Sequence, residues 1–120
     1  MFKNLLFIFI GGGVGSVLRF LLSFFNYNYS FGTFLANFFG CVLIGFFMAL
    51  GERSVLNQSV YLLLAVGLCG GFTTFSTFTA ENYKMLVSGD YLGFGIYSLG
   101  TFIICILGLI LGNKFLAIFN

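Results

Sequence analysis

The sequence predicts an all-helical integral membrane protein with four spanning segments, and three observations carry that prediction. Of its 120 residues, 60% are hydrophobic and only 7% are charged. A soluble domain this small has too much surface per unit volume to hide so much apolar side chain. The apolar residues run continuously instead of alternating, which disfavours a β-barrel. Four segments reach the roughly 20 residues that a spanning helix needs. The breaks between them, "NYNYS" (26–30), "GERSVLNQS" (51–59) and "SGDY" (88–91), are short and rich in turn formers. The whole chain, 1–120, reads as one four-helix transmembrane domain.

The first span is expected over 4–25. One lysine before an apolar run resembles a signal peptide, but no small-x-small cleavage site closes the run, so it is read as a retained span. Arg19 lies about six residues inside its end. Two readings stand: the guanidinium snorkels to the interface, or it raises the potential at a pore mouth and draws in anions.

The second span, 32–50, places Thr33 and Asn37 four residues apart and so on one helical face. The Asn37 amide needs partners at that depth; it is either glue between helices or the lining of a pore. The fourth span, 92–118, carries Tyr97 and Thr101 on one stripe, although a threonine hydroxyl can satisfy its own helix. Small residues at four-residue spacing (Gly11 and Gly15; Gly32, Ala36 and Gly40; Gly108 and Gly112) predict close helix contacts.

The third span, 60–86, is the unusual one. Its 27 residues would extend about 40 Å as a helix, longer than a hydrocarbon core near 30 Å. Near its middle Gly70-Gly71 weakens the helix by about 1 kcal/mol per glycine relative to alanine, and Thr73, Thr74, Ser76, Thr77 and Thr79 follow. A break is expected at the glycine pair. Freed backbone groups at membrane depth are tolerated only inside protein or beside a watery cavity, and broken helices often coordinate ions through them. Packing alone is the competing explanation for the glycines. Phe75 and Phe78, three apart, share a face and could turn positive ring edges toward an anion.

Several functions are excluded or weakened. A net charge of +2 with no basic run gives nucleic acid nothing to grip. There is no histidine and no carboxylate pair at depth; Glu52, Glu81 and Asp90 fall near span ends, so no enzyme chemistry is expected. "GGGVGS" (11–16) lacks the lysine and the βαβ setting of a phosphate loop. Cys41, Cys69 and Cys105 have no metal-binding spacing and read as small apolar packing groups. With both termini on one side, that side carries Lys3, Arg53 and Lys114 against Lys84 and Arg19 on the other. So even a split leaves orientation undecided, or points to insertion both ways.

In combination, "GGGVGSVLRF", "GTFLANFFG" and "GLCGGFTTFSTF" resemble the Fluc (CrcB) fluoride channels, and the resemblance covers essentially the whole chain. It implies an antiparallel, dual-topology homodimer in the inner (cytoplasmic) membrane, with two fluoride pores, each lined by both chains. It implies passive fluoride export, with a second copy, fluoride and the lipid bilayer as partners and no nucleic acid. Asn37 would donate hydrogen bonds in the pore, and Phe75 and Phe78 would present ring edges to the ion. Ser76, Thr77, Tyr97 and Thr101 match the family's polar track, Thr101 standing where serine is expected, and Arg19 falls near the entrance. Gly70 and Thr73 match positions whose carbonyls, from both subunits, hold a structural sodium ion (Na+). Glu81 fits the acid after the phenylalanine pair, with no role assigned.

Two rivals remain. A small multidrug-resistance-type exporter needs a titratable carboxylate in its first span, and 4–25 contains none. A non-transporting membrane subunit would leave the hydroxyl-rich third span without purpose.

Overall fold

The computed structural model describes residues 1–119, and among these there are helices and no strands. Four helical stretches are long and apolar enough to cross a membrane: Phe2–Ser23, Phe31–Glu52, Gln58–Val87 and Tyr91–Ile118. Their bounds lie within two residues of the expected ones. The first (α1, Phe2–Ser23) and second (α2, Phe31–Glu52) are single helices. The third is composite: α3 (Gln58–Tyr61), a π-helical segment (Leu62–Leu68), α4 (Cys69–Phe72) and α5 (Phe75–Val87). The fourth is α6 (Tyr91–Ile118).

Side chains at the ends set most of these bounds. Beyond Ser23 the N–H groups of Phe24, Phe25 and Asn26 tighten onto carbonyls three residues back. The chain then turns so that Asn26 Oδ1 accepts from the N–H groups of Gly32 (2.7 Å) and Thr33 (3.2 Å). Asn26 thereby satisfies two of the orphan donors of α2, a task Ser30 at the cap position leaves undone. Asn57 caps α3, Thr74 caps α5 and Asp90 caps α6, each accepting the N–H three residues on. Between α5 and α6, Gly89 has φ +78°, a turn geometry that favours glycine.

Packing rests on two glycine seams. In one, α1 lies against the π segment and α4: a Cβ at Gly11 would strike the Leu63 carbonyl, at Gly15 the Leu68 carbonyl, and at Gly71 the Gly12 carbonyl. In the other, α2 lies against α6: a Cβ at Gly45 would strike the Leu109 carbonyl, and at Gly112 the Val42 carbonyl. Lipid offers no hydrophobic drive between helices, so such backbone approach supplies the packing. Gly11, Gly15, Gly32, Gly108 and Gly112 all make close contacts of this kind, with backbone or with aromatic and β-branched side chains.

Gly70 and Gly71 do not interrupt the helix as expected; both lie inside α4. Gly71 permits contact with α1, and Gly70 faces open space, where a methyl group would meet nothing within 4 Å. Helical backbone gives way instead at Thr73 (φ −80°, ψ 156°) and Thr74 (φ −151°, ψ 121°), both extended. Helix-weakening composition and the residues that leave the helix are thus neighbours, not the same residues.

Candidate functional site

The two extended residues need partners for their backbone groups, and Asn37 on α2 supplies them for Thr74. The Thr74 N–H donates to Asn37 Oδ1 at 2.7 Å, and Asn37 Nδ2 donates to the Thr74 carbonyl at 3.1 Å. The side-chain amide thus stands in for a neighbouring peptide, as in a strand pairing. Reversing it would set donor against donor and oxygen against oxygen, so its orientation is fixed by these bonds. One of the two Nδ2 hydrogens is used; the other has no protein acceptor among the described residues.

Asn37 lines a cavity of about 460 Å³ between α2, α4, α5 and α6. Thr73, Thr74, Phe75, Phe78 and Thr101 share its wall, and no charged residue does. The Phe75 and Phe78 rings pack at 5.9 Å between centroids, and Phe78 meets Tyr97 at 5.2 Å. Phe75 is 79% exposed, at the open side of this cavity. Thr101 is buried, and its Oγ1 has no hydrogen-bond partner among the described residues. Other hydroxyls in the bundle, those of Thr73, Thr79 and Ser98, bond the carbonyl four residues back. Thr101 forgoes that bond, so its hydroxyl is an uncommitted polar group at depth, of the kind that costs free energy unless something uses it.

Thr74 also lines a second cavity, of about 250 Å³, with Arg19, Thr33 and Thr77. Arg19 Nε donates to the Gly71 carbonyl at 3.0 Å, holding the end of α4. Thr74 Oγ1 accepts from the Thr77 N–H and lies 3.2 Å from the hydroxyls of both Ser76 and Thr77. Ser76 and Thr77 are therefore gathered at the start of α5, beside the extended pair. A third cavity, of about 710 Å³, opens at the helix ends, where Asn26, Ser30, Glu81, Lys84 and Asp90 line it. Ser23 and Asn26 are common to the third and second cavities, and Thr74 to the second and first. A polar series of walls thus runs from one end of the bundle to its middle.

Glu81 has a place that its sequence position did not reveal. Its Oε1 accepts from Thr33 Oγ1 at 2.7 Å and from Asn26 Nδ2 at 3.5 Å, and its Oε2 accepts from the Tyr97 hydroxyl at 2.7 Å. The carboxylate joins α2, α5 and α6 and occupies the hydroxyl that Tyr97 would otherwise offer on a shared stripe with Thr101. Asn26 is the other residue missed; the only signal was an asparagine placed before a span start, where amide oxygens cap well.

The extended pair also frees carbonyls. The Gly70 carbonyl would be claimed in a helix by the Thr74 N–H, which goes to Asn37 instead. The Thr73 carbonyl would be claimed by the Thr77 N–H, which goes to Thr74 Oγ1. Hard oxygen donors without helical partners fit an alkali cation.

The family model described as "CrcB-like protein, Camphor Resistance (CrcB)" matches residues 6–113. A relative from Phocaeicola vulgatus, named Fluoride-specific ion channel FluC, is 50% identical over 115 residues, covering 92% of this chain and 95% of its own. A protein of the same name from Bacteroides fragilis is 43% identical, covering 90% and 89%. Another, from Aquifex aeolicus, is 42% identical, covering 88% and 93%. With a family match across nearly its full length and relatives this similar, the chain belongs to the CrcB family.

Proposed function

We propose that the chain is a fluoride-selective channel that lets fluoride leave the cell passively across the cytoplasmic membrane, through pores formed by two antiparallel copies. The observation that carries this reading is the Asn37–Thr74 pairing. It fixes the Asn37 amide, with one N–H to spare, on the wall of an uncharged cavity that Thr101, Phe75 and Phe78 also line. Relatives named as fluoride-specific channels support the choice of ion.

The chemistry suits fluoride. A small, tightly hydrated anion gives up water only to good donors, and conduction requires binding that is favourable yet escapable. An amide N–H, hydroxyls and aromatic edges donate or polarise without a fixed charge that would trap the ion. Cationic Arg19, on the second cavity, which has no acid on its wall, raises the local concentration of anions before they reach the uncharged one. The N-terminus of α5 adds its positive dipole end at Phe75 and Ser76. The proton-coupled rival lacks its essential group, since Phe2–Ser23 contains no acid.

A dimer is supported by what one protomer leaves open: Phe75 at the mouth of the cavity and Gly70 facing empty space. The Gly70 and Thr73 carbonyls of both copies would together hold a sodium ion, which neutralises the carbonyl dipoles where the subunits cross. Sodium should then raise the thermal unfolding midpoint relative to a large organic cation; an unchanged midpoint removes the ion from the account. The channel itself is tested by ion loss from liposomes holding the purified protein. Passive fluoride loss with chloride retained is expected, and flux that requires a proton gradient, or no flux, would refute it.

A further inference from the structure

Three cysteines far apart in the chain converge on one wall. Cys41 on α2, Cys69 on α4 and Cys105 on α6 all line the 460 Å³ cavity, and all are free thiols. Cys41 and Cys105 come from α2 and α6, the two helices that pack along the second glycine seam. Cys41 lies one helical turn beyond Asn37, and Cys105 one turn beyond Thr101, so the thiol pair continues the faces that carry the cavity's donors.

We propose that Cys41 and Cys105 form a binding site for a soft, two-coordinate divalent metal ion of the mercury(II) class, and that its occupancy obstructs the cavity. Ligand type and number select the ion. Thiolates prefer soft metals. The chain has no histidine, and no group of three or more His, Cys, Asp or Glu could share one metal among the described residues. Tetrahedral zinc, which needs about four ligands, is therefore not served, whereas a linear ion needs only two.

Charge narrows the choice further. A monovalent soft ion on two thiolates would leave one net negative charge in a largely apolar cavity, which is costly to bury. A divalent ion on the same pair is neutral. The step balances without an oxidant: two S–H bonds and the bonds from mercury to its two departing ligands (chloride, for mercuric chloride) break, two S–Hg bonds form, and two protons pass to water. Only the obstruction rests on the fluoride-channel reading; the binding does not.

The test titrates the purified full-length protein with mercuric chloride, following sulfur-to-mercury ultraviolet absorption and proton release. One ion bound and two protons released per chain are expected, with Cys69→Ser unchanged and Cys41→Ser or Cys105→Ser each weakening binding at least 100-fold. Undiminished binding in both of those variants, or release of a single proton, overturns the site. In liposomes, one equivalent of mercuric chloride should stop fluoride efflux, dithiothreitol should restore it, and the Cys41→Ser/Cys105→Ser double variant should resist. Wild-type binding with unimpaired efflux overturns the obstruction. Absence of efflux before mercury is added overturns the channel reading instead and leaves the binding result standing.

Discussion

The side chain of Asn37 and the backbone of Thr74 exchange two hydrogen bonds, of 2.7 and 3.1 Å, across α2 and the start of α5. The relationship is architectural, because it satisfies an extended peptide at membrane depth, and in the proposed channel the same amide also serves the ion. Asn37→Ala orphans a donor and an acceptor, at about 1–3 kcal/mol each. Asn37→Asp keeps the acceptor but sets a carboxylate oxygen against the Thr74 carbonyl and puts a charge in the anion's way. Both variants should lower the unfolding midpoint in detergent, and Asn37→Asp should also abolish fluoride efflux. Wild-type stability in Asn37→Ala would show that the pairing is dispensable.

Glu81 joins three helices by accepting from Thr33 and Tyr97. A glutamine keeps one acceptor oxygen, and hydroxyls can reverse to accept from its amide, so Glu81→Gln should cost less than about 1 kcal/mol. Glu81→Ala removes the acceptor of both the Tyr97 hydroxyl and the buried Thr33 hydroxyl, which keeps only the bond it accepts from Asn26 Nδ2, and should cost about 2–4 kcal/mol. Denaturant unfolding of the two variants side by side measures the difference; equal stability would mean that the carboxylate is not a structural junction.

The glycine seams predict a contrast between two alanines. Gly112→Ala drives a methyl into the Val42 carbonyl and should destabilise by about 1–3 kcal/mol. Gly13→Ala meets nothing within 4 Å and should be neutral or stabilising by up to about 1 kcal/mol through helix propensity. Thermal unfolding of both variants checks this, and a reversed order would contradict the seam.

Phe75 and Phe78 share the cavity wall. Replacing either with Ile keeps most of the apolar bulk and removes the ring edge, so fluoride efflux should fall while the size-exclusion elution volume stays that of the wild type. Undiminished efflux in both variants would take the rings out of the ion's route.

Much of the architecture was legible because single-helix properties are local. Span length, turn composition and four-residue glycine spacing can be read without knowing a helix's neighbour, and the Gly11/Gly15 and Gly108/Gly112 pairs do face other helices. What was not legible lies between helices. That Asn37 would meet Thr74, or Asn26 and Tyr97 would meet Glu81, depends on the relative height of separate helices, which no periodicity encodes. The Gly70-Gly71 expectation went astray for a related reason. Low helix propensity marks where a helix can yield, but Asn37 offers its amide to Thr74, and that partner decides where the helical backbone ends. Nor can spacing along the chain show that Cys41, Cys69 and Cys105 come to line one cavity.

The central claim is that the uncharged cavity beside the extended pair is the route of the anion, and Thr101→Val tests it most directly. The Thr101 hydroxyl is buried and unpartnered, so an isosteric valine removes an unsatisfied group and should leave the fold as stable as before or more so. If the hydroxyl exists for the ion, fluoride efflux from liposomes should fall about tenfold, the equivalent of one lost hydrogen bond of about 1.4 kcal/mol. A Thr101→Val protein that is equally stable and conducts fluoride at the wild-type rate would contradict the account.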